Sequence, residues 1–483
     1  MAKDDSIIIQ AETIMKGMKD SPYLEGCSKI VNLDINTKPG IVRIAPRMTK
    51  ESGTTVTGFI KWAVKTPDGE IYAVDDTSNS DYYYKRSTSG TWSKSTSLTT
   101  AVSRGIGYLQ DYIFRVYASG GNLRIDRYGP LSSPSTSTNW VTLAASTSDT
   151  DVPTFTSAQD VLYFGVNNIV YKLADATVAT ISNVLDIPVG ENITGFAEIG
   201  NYLLIATDRG NIYPWDQVSS SFNFPIKTGR NSIEQIIAKD NLCYSLSGQI
   251  GDVLAGNLSQ IEFIQTLVNF TEEPELTFAS ADLSSNGIAV LGDTILFGVG
   301  RTNGTTNGGN GVYFYKNKAW SLVTTSNGVS NDSTGCRIGV VIPLSSKEFI
   351  VSWKVGSTYG VDLYKTDNRW SSYSAYLETQ MYLVGGVLLE RGIQNMEIQL
   401  AKPLEANQGI KIEYRTNTSA SYTEIDTFAY GAGTGADNDN LGAVDKIYWT
   451  PKITPCSQIQ FKVSLTATST NSATPELVYI KLW

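Results

Sequence analysis

Short apolar runs broken by polar turns recur along most of the chain. Each unit has an apolar run of strand length, a tight polar turn, and a second run rich in Leu, Tyr or Phe. A Gly/Asn turn and a third run follow, often with Trp near the end. The clearest copy starts with Ile193–Ile199, turns at Gly200-Asn201 and continues as Tyr202–Ala206. It turns again at Asp208-Arg209-Gly210-Asn211 and runs into Ile212-Tyr213-Pro214-Trp215. The first turn recurs at Asp68-Gly69, Gln110-Asp111, Gln159-Asp160, Gly200-Asn201, Asp240-Asn241, Gly292-Asp293 and Ser346-Lys347. The strands expected after these turns are Ile71–Val74, Tyr112–Val116, Val161–Phe164, Tyr202–Ala206, Leu242–Leu246, Thr294–Phe297 and Phe349–Trp353. Successive units lie about 40 to 54 residues apart, the length of one four-stranded propeller blade. The pattern predicts an all-β chain whose larger part is a β-propeller of about seven four-stranded blades. Irregular units near 101–150 and 271–330 leave six or eight blades open.

The second half of the unit repeats more weakly. Tyr83-Tyr84-Lys85 leads to Trp92, Tyr313-Phe314-Tyr315-Lys316 to Trp320, and Leu363-Tyr364-Lys365 to Trp370; Val170-Tyr171-Lys172 starts alike but has no Trp. A lone blade exposes two faces and an edge, so neighbours must bury them and a ring must close. Lys29–Ile35 and Gly40–Ala45 are the expected closing strands. Helical spacing is weak: Ile9–Met18 is the best candidate, with Ser182–Asp186 and Tyr376–Tyr382 behind it. Near Val384 the Tyr-turn-Trp pattern stops. Ile393–Ala401, Ile410–Tyr414, Tyr422–Ala429, Lys446–Thr450, Ser457–Leu465 and Pro475–Leu482 then read as six strands of an antiparallel β-sandwich. The expected organisation is a leader at 1–27, a propeller at 28–383 and a sandwich at 384–483. The Gly/Asn/Asp-rich stretches Gly431–Gly442 and Thr302–Asn310 read as exposed loops.

Composition narrows the chemistry. Only 18% of the 483 residues are charged, against a usual share of about 25%. Ser, Thr, Asn and Gly take their place, as turns and solvent-facing strand positions require. A net charge of −9 argues against wrapping DNA, but suits a wall past which DNA slides without sticking. The chain contains no histidine, which rules out Ser-His-Asp and Cys-His catalysis within it. Cys27, Cys243, Cys336 and Cys456 lie far apart without zinc spacing and read as free buried thiols formed in a reducing cytoplasm. The first twenty residues do not read as a secretory signal. The longest apolar runs, such as Ile338–Leu344, fall well short of the roughly 20 residues that span a bilayer, so no membrane anchor is expected.

Four constellations bear on chemistry. Ser87-Thr88-Ser89-Gly90-Thr91-Trp92 resembles the blade motif of sialidase-type hydrolases, but it is short and lacks the Asp. Tyr315–Trp320 and Tyr364–Trp370 are further from that motif. Such enzymes also need an arginine cluster and a tyrosine nucleophile, which cannot be assembled here. The simpler reading makes these tryptophans packing residues between blades. Asp437-Asn438-Asp439-Asn440, with Gly442 and Asp445, offers oxygen ligands for calcium. Leu441 and Tyr448 break the EF-hand pattern, so a solvated loop is preferred. Tyr82-Tyr83-Tyr84 could grip a glycan or protein partner. Strand alternation puts Tyr82 and Tyr84 on one face and Tyr83 on the other, and blade packing explains them equally. No glycine-rich phosphate cradle and no basic, aromatic-interleaved stripe is present. No catalytic, cofactor-binding or metal-binding residue is assigned, and no cofactor is expected.

The opening of the chain carries a family resemblance. Met15-Lys16-Gly17-Met18, Tyr23-Leu24-Glu25, Asn32-Leu33-Asp34 and Pro39-Gly40-Ile41-Val42-Arg43 resemble the N-terminal region of tailed-phage propeller proteins. There, a short leader precedes a Pro-Gly turn and the first blade. The nozzle proteins of short-tailed phages combine a propeller with a β-sandwich platform in the same way. The resemblance implies a non-catalytic virion protein, made in the host cytoplasm and placed in the tail. Its partners would be copies of itself in a ring, often six, and other tail or portal-proximal proteins. DNA would be only passing cargo. The alternatives are a receptor- or glycan-binding tail protein and a histidine-free propeller glycosidase, the latter needing two carboxylates about 5 to 9.5 Å apart in a cleft.

Overall fold

A computed structural model describes residues 6–483, except 20–25, 79, 96–97, 145–150, 230–231, 248–256, 265–266, 274–280, 302–309, 327–335, 371–373, 385–391, 431–444, 452, 454 and 468–472. The loop expected at Thr302–Asn310 lies outside the described residues except for Asn310, and that at Gly431–Gly442 lies wholly outside. The chain groups into two compact units. One comprises Thr49–Gly311 and Thr325–Leu363, the other Met1–Met48, Val312–Thr324 and Tyr364–Trp483. The boundaries expected at 27/28 and 383/384 follow chain order, whereas the units interleave. Residues 28–48, 312–324 and 364–383, expected in the propeller, cluster with the C-terminal strands.

The first unit is a seven-bladed propeller. Five blades are four-stranded antiparallel meanders that lie wholly within this unit. Blade 1 is Ile60–Lys65, Ile71–Asp75, Tyr83–Arg86 and Trp92–Ser95; blade 2 is Val102–Leu109, Tyr112–Ser119, Asn122–Gly129 and Ser135–Ala144. Blade 3 is Thr154–Thr156, Leu162–Val166, Ile169–Leu173 and Ser182–Asp186; blade 4 is Ile193–Ile199, Tyr202–Thr207, Asn211–Trp215 and Ile226–Lys227. Blade 5 is Gln235–Lys239, Leu242–Ser247, Asn257–Ile264 and Leu267–Glu273. The hairpin Ala281–Leu291 and Thr294–Arg301 stands at the sixth position. Cys336–Pro343, Phe349–Val355 and Thr358–Arg369 form the seventh.

The first strands of the seven blades touch in sequence, and the last, Cys336–Pro343, returns to Ile60–Lys65. That cyclic contact makes the unit a closed ring. All seven strands expected after the first turns are present. Four of those turns are two-residue hairpins, closing the pairs Leu109↔Tyr112, Ile199↔Tyr202, Lys239↔Leu242 and Leu291↔Thr294. Gln110 and Asp111 take φ of 46° and 68°, and Asp240 takes 56°, the left-handed backbone that matches strand twist in such turns.

Blade seams are close where backbones meet. Arg104 O accepts the Val152 N–H at 2.8 Å, Asn167 O the Ile193 N–H at 2.8 Å, and Thr207 O the Ile233 N–H at 3.0 Å. At the seam between blades 7 and 1, a Cβ on Gly339 would lie 2.1 Å from Ile60 O, a backbone atom that cannot swing away. Gly339→Ala is therefore expected to destabilise the propeller by about 2 kcal/mol, the scale of an overpacked core. A urea titration reads this as a lower unfolding midpoint.

Ring closure corrects the expected strand. Lys29–Ile35 and Gly40–Ala45 do not close the ring. Cys27–Val31 pairs antiparallel with Ala375–Thr379 in the other unit, and Leu33–Asp34 pairs with Arg43–Ile44. Pro46–Lys50, directly downstream, lies beside Thr358–Arg369 as the fourth strand of blade 7. The Glu51 and Ser52 N–H groups both donate to Val361 O, at 2.8 and 3.3 Å. Its half-polar sequence suits an outermost strand, and its leading proline is tolerated at an edge.

The other unit is a β-sandwich. One sheet has the order Ile7–Gln10, Leu477–Leu482, Met396–Leu400, Lys446–Trp449 and is antiparallel throughout. The other contains Thr423–Ala429, Gly409–Arg415, Gln458–Thr466, Ala375–Thr379, Cys27–Val31 and Ala319–Thr324 in that order. All six expected sandwich strands are present. Cys27–Val31 and Ala319–Thr324 run parallel, against the antiparallel expectation. Parallel neighbours need a long connection, and nearly the whole propeller supplies it. Ile9, Met396, Ile398, Ile480 and Leu482 alternate inward and are buried.

The helix readings are corrected too. Of Ile9–Met18 only Ala11–Ile14 is helical, because Ile7–Gln10 pairs with the strand Leu477–Leu482. Ser182–Asp186 is a strand, and Tyr376–Tyr382 falls on Ala375–Thr379 and Tyr382–Leu383, also strands. Strand pairing overrode a weak local preference. All four cysteines are buried thiols outside any disulfide, and burial pushes the Cys27 thiol up to about 12.

Candidate functional site

The propeller's inner carboxylates are held by donors from their own turns and strands. In blade 1, Tyr82 and Tyr84 hydroxyls donate to Asp75 Oδ2 at 2.8 and 3.0 Å. In blade 2, Asp126 accepts from the Thr99 N–H, the Thr99 hydroxyl and the Asn139 N–H, each at 2.8 Å. The Arg115 guanidinium lies 3.5 Å from Asp126. It also donates to Ser103 Oγ and to the carbonyls of Ser80, Thr99 and Ala101 at 2.6 to 2.9 Å. In blade 4, Glu191 accepts from Tyr213 Oη at 2.7 Å, Thr207 Oγ1 at 2.8 Å and Asn211 Nδ2 at 2.9 Å. In blade 7, Asp362 takes the Trp353 indole N–H at 2.7 Å and the Ser326 hydroxyl at 2.6 Å. These bonds tie strands and turns together; a carboxylate so occupied serves the fold.

The best candidate for a distinct site is the leading end of the inner strands. Lys61, the second residue of blade 1, donates to Asp151 at 2.8 Å, immediately before blade 3. Asp151 stands in the connection between blades 2 and 3, next to Val152, whose N–H bonds Arg104 O of blade 2. Asn286 of blade 6 donates to Lys61 O at 3.4 Å, skipping blade 7. Arg337 of blade 7 meets Asp282 of blade 6 at 2.7 Å. Glu234 leads into blade 5. Burial pushes its carboxyl above the usual range, and the Asp208, Asp151 and Asp282 carboxylates push the same way; the Ser232 hydroxyl, 2.5 Å from Oε1, opposes them. Residues from several blades and from the connections between them thus meet at this end of the ring.

That perturbation has a pH signature. An acid whose folded pKa is raised favours the fold most below its unfolded value, about 4.3. This contribution is lost as pH rises through the folded value. Glu234→Gln removes the loss. The variant is expected to melt higher than wild type at pH 7.5, with the gap closing toward pH 4.5. Thermal unfolding followed by circular dichroism across that range checks it.

The motifs singled out in the sequence fall elsewhere. Ser87–Trp92 is the turn between the third and fourth strands of blade 1. Trp92 is buried against Val340, Ile342 and Ile350 of blade 7, as expected of a residue packed between blades. Tyr82, Tyr83 and Tyr84 are all buried. Tyr82 and Tyr84 face blade 7, while Tyr83 faces blade 2, its ring 4.6 Å from that of Tyr128. Asp437–Gly442 lies outside the described residues. Among the described residues, no group of three or more His, Cys, Asp or Glu side chains is placed to hold a metal ion. Among them, too, no helix is long and apolar enough to cross a membrane.

In the sandwich unit, a polar cavity of about 440 Å³ is lined by Tyr414, Arg415, Thr416, Ser421, Thr423 and Cys456, among others. Arg415 is committed to Gln460 Oε1 at 2.8 Å and Thr418 O at 3.0 Å. The inner-strand cluster went unforeseen because its members are scattered over 277 residues, from Lys61 to Asp208 and on to Arg337. The usable signal was positional: charged residues stand at or just before the first strand of several units.

No family model matches this chain, and no curated protein does. Solved structures similar to it include the WD40 β-propeller domain of Doa1, at 14% identity and a TM-score of 0.47, covering 68% of this chain and all of that one. The Pan2 WD40 domain of Neurospora crassa matches at 9% identity and a TM-score of 0.46, covering 68% of this chain and 98% of that one. The computationally designed Ika8 protein matches at 12% identity and a TM-score of 0.40, covering 65% and 98%. The propeller assignment rests on the cyclic contact of the seven inner strands.

Proposed function

We propose that this chain is a structural component of a tailed-phage virion, assembled as a ring at the tail or nozzle and forming part of the DNA exit channel. The observation that carries the reading is the threading of the chain. The backbone passes between the two units four times, at 48/49, 311/312, 324/325 and 363/364. Such interleaving resists mechanical separation of the units, because no single linker bears the load. The leader resembles that of nozzle proteins, and the net charge of −9 suits a surface past which DNA must slide. DNA would run through the channel that the ring of copies encloses.

No catalytic role is proposed. Mass measurement of the purified chain, alone and with tail components, tests the reading. Ring-sized species are expected. A strictly monomeric chain that hydrolyses glycans would overturn it.

A further inference from the structure

Among the described residues of the propeller unit, the large exposed apolar side chains are Val178, Val189, Val218 and Phe224. All fall in or beside blades 3 and 4. Val178 and Val218 sit in equivalent turns, between the third and fourth strands of neighbouring blades. Each turn is fixed by an aspartate. Asp175 Oδ1 accepts the Thr177 N–H at 2.8 Å, and Asp216 Oδ1 accepts the Val218 and Ser219 N–H groups at 3.0 and 2.8 Å. The Thr177 hydroxyl, at 2.7 Å, and its N–H hold the Asp175 carboxyl below the usual range, and the Ser219 and Val218 N–H groups do the same for Asp216, so both are ionised.

Glu198 fixes where the blade 4 turn sits. It accepts from Gln217 Nε2 at 2.9 Å and from the Ala158 N–H of blade 3 at 2.8 Å. Gln110, in a turn of blade 2, likewise holds the blade 3 turn through the Ala176 N–H at 3.0 Å. The turns are apolar at their tips and carry Asp175, Asp216 and Glu198 beside them, against one guanidinium, that of Arg127, which donates to Ala176 O at 2.9 Å. Phe224, 96% exposed, extends the patch along blade 4. Exposed apolar tips on a soluble surface mark a contact site.

The sandwich offers a counterpart of opposite charge. Its four-stranded sheet leaves one face open, with Ile8, Lys481, Glu397 and Tyr448 side by side in one row. Tyr448 is 65% exposed, and Ile8 and Trp483 are also exposed. Lys481 lies over the Trp483 ring at 5.4 Å and Lys446 over the Tyr448 ring at 5.3 Å. Glu397 is the carboxylate of that row and bonds Lys446 at 2.8 Å. The face is therefore aromatic with a basic excess.

We propose that the chain associates head to tail, the acidic apolar patch of blades 3 and 4 on one copy receiving the basic aromatic sheet face of the next. The proposal rests on the ring reading above and names its contact. Neither patch complements itself in charge, which disfavours a two-fold pairing of like patches. Two different complementary patches generate a ring or filament.

The test uses two full-length variants, Val218→Ser with Phe224→Ser, and Tyr448→Ser with Lys481→Glu. All four side chains lie at the surface, and circular dichroism checks that both variants fold. By light scattering, wild type is expected to be a multimer and each variant alone a monomer, with association weakened at least tenfold. An equimolar mixture is expected to give dimers and nothing larger, because each variant retains the half that the other lacks. A mixture that stays monomeric overturns the head-to-tail contact. Variants that keep the wild-type mass also overturn it, but leave the ring reading standing with another interface. Wild type that is monomeric alone and with tail components removes both. A saccharide that binds the monomer and is lost on Tyr448→Ser would reassign the sheet face.

Discussion

Glu51→Ala is expected to lower the stability of the propeller by about 3–5 kcal/mol, as when one partner of a buried ion pair is removed. Glu51 follows the closing strand of blade 7 and reaches into blade 1. Its two carboxylate oxygens take the Arg86 guanidinium at 2.6 Å each, and Oε2 also takes the Trp92 indole N–H at 3.0 Å. Both charged side chains are largely buried, at 6% and 13% exposure. Alanine would leave the Arg86 charge without its carboxylate, with only Ser87 O at 3.3 Å to accept from it, and the Trp92 N–H without an acceptor, at the point where the ring closes. The double variant Glu51→Leu/Arg86→Met removes both charges and should recover most of the loss. Urea midpoints of the wild type and the variants decide it. Equal loss in the single and double variants would show that the ion pair is not what holds the seam.

Asp126→Ala is expected to cost a similar amount, about 3–5 kcal/mol, in blade 2. Arg115 is 2% exposed and Asp126 fully buried. Burial lowers the Arg115 pKa, with the Asp126 charge as the largest opposing influence. Removing Asp126 leaves that cation without its nearest anion. It also leaves the Thr99 and Asn139 N–H groups without acceptors, each at roughly 1–3 kcal/mol if water cannot reach it. Hydrogen exchange reads the result locally: the amides of Thr99 and Asn139 should lose protection before those of blade 4. Protection unchanged at those two amides would refute the account.

These networks show which parts of the fold were legible in the sequence. A two-residue turn is a local event. Gln110-Asp111 and Asp240-Asn241 state their backbone conformation through residue type, so the strands after them could be placed. Tyr82-Tyr83-Tyr84 likewise gave its alternation, because strand period is local. Pro46–Lys50 announced nothing. It is less apolar than Lys29–Ile35, and only its pairing with a strand more than 300 residues away makes it the closing strand. Ile7–Gln10 misled for the same reason, since its partner is Leu477–Leu482. Asp126 and Arg115 looked like ordinary strand charges, because a buried charge pair carries no periodic signature. The Lys61–Asp151 pair was hidden further, since it joins a strand of blade 1 to the connection between blades 2 and 3.

The order of synthesis gives the closing strand a second meaning. Ser52 and Val361, which bond through the Ser52 hydroxyl, are 309 residues apart. At the usual pace of translation, the early segment must wait roughly 15 to 60 s for its neighbour to leave the ribosome. During that interval it is an unmatched edge in a growing chain. Arg47, Thr49 and Lys50 keep it hydrated and unattractive to other nascent chains until the last blade arrives.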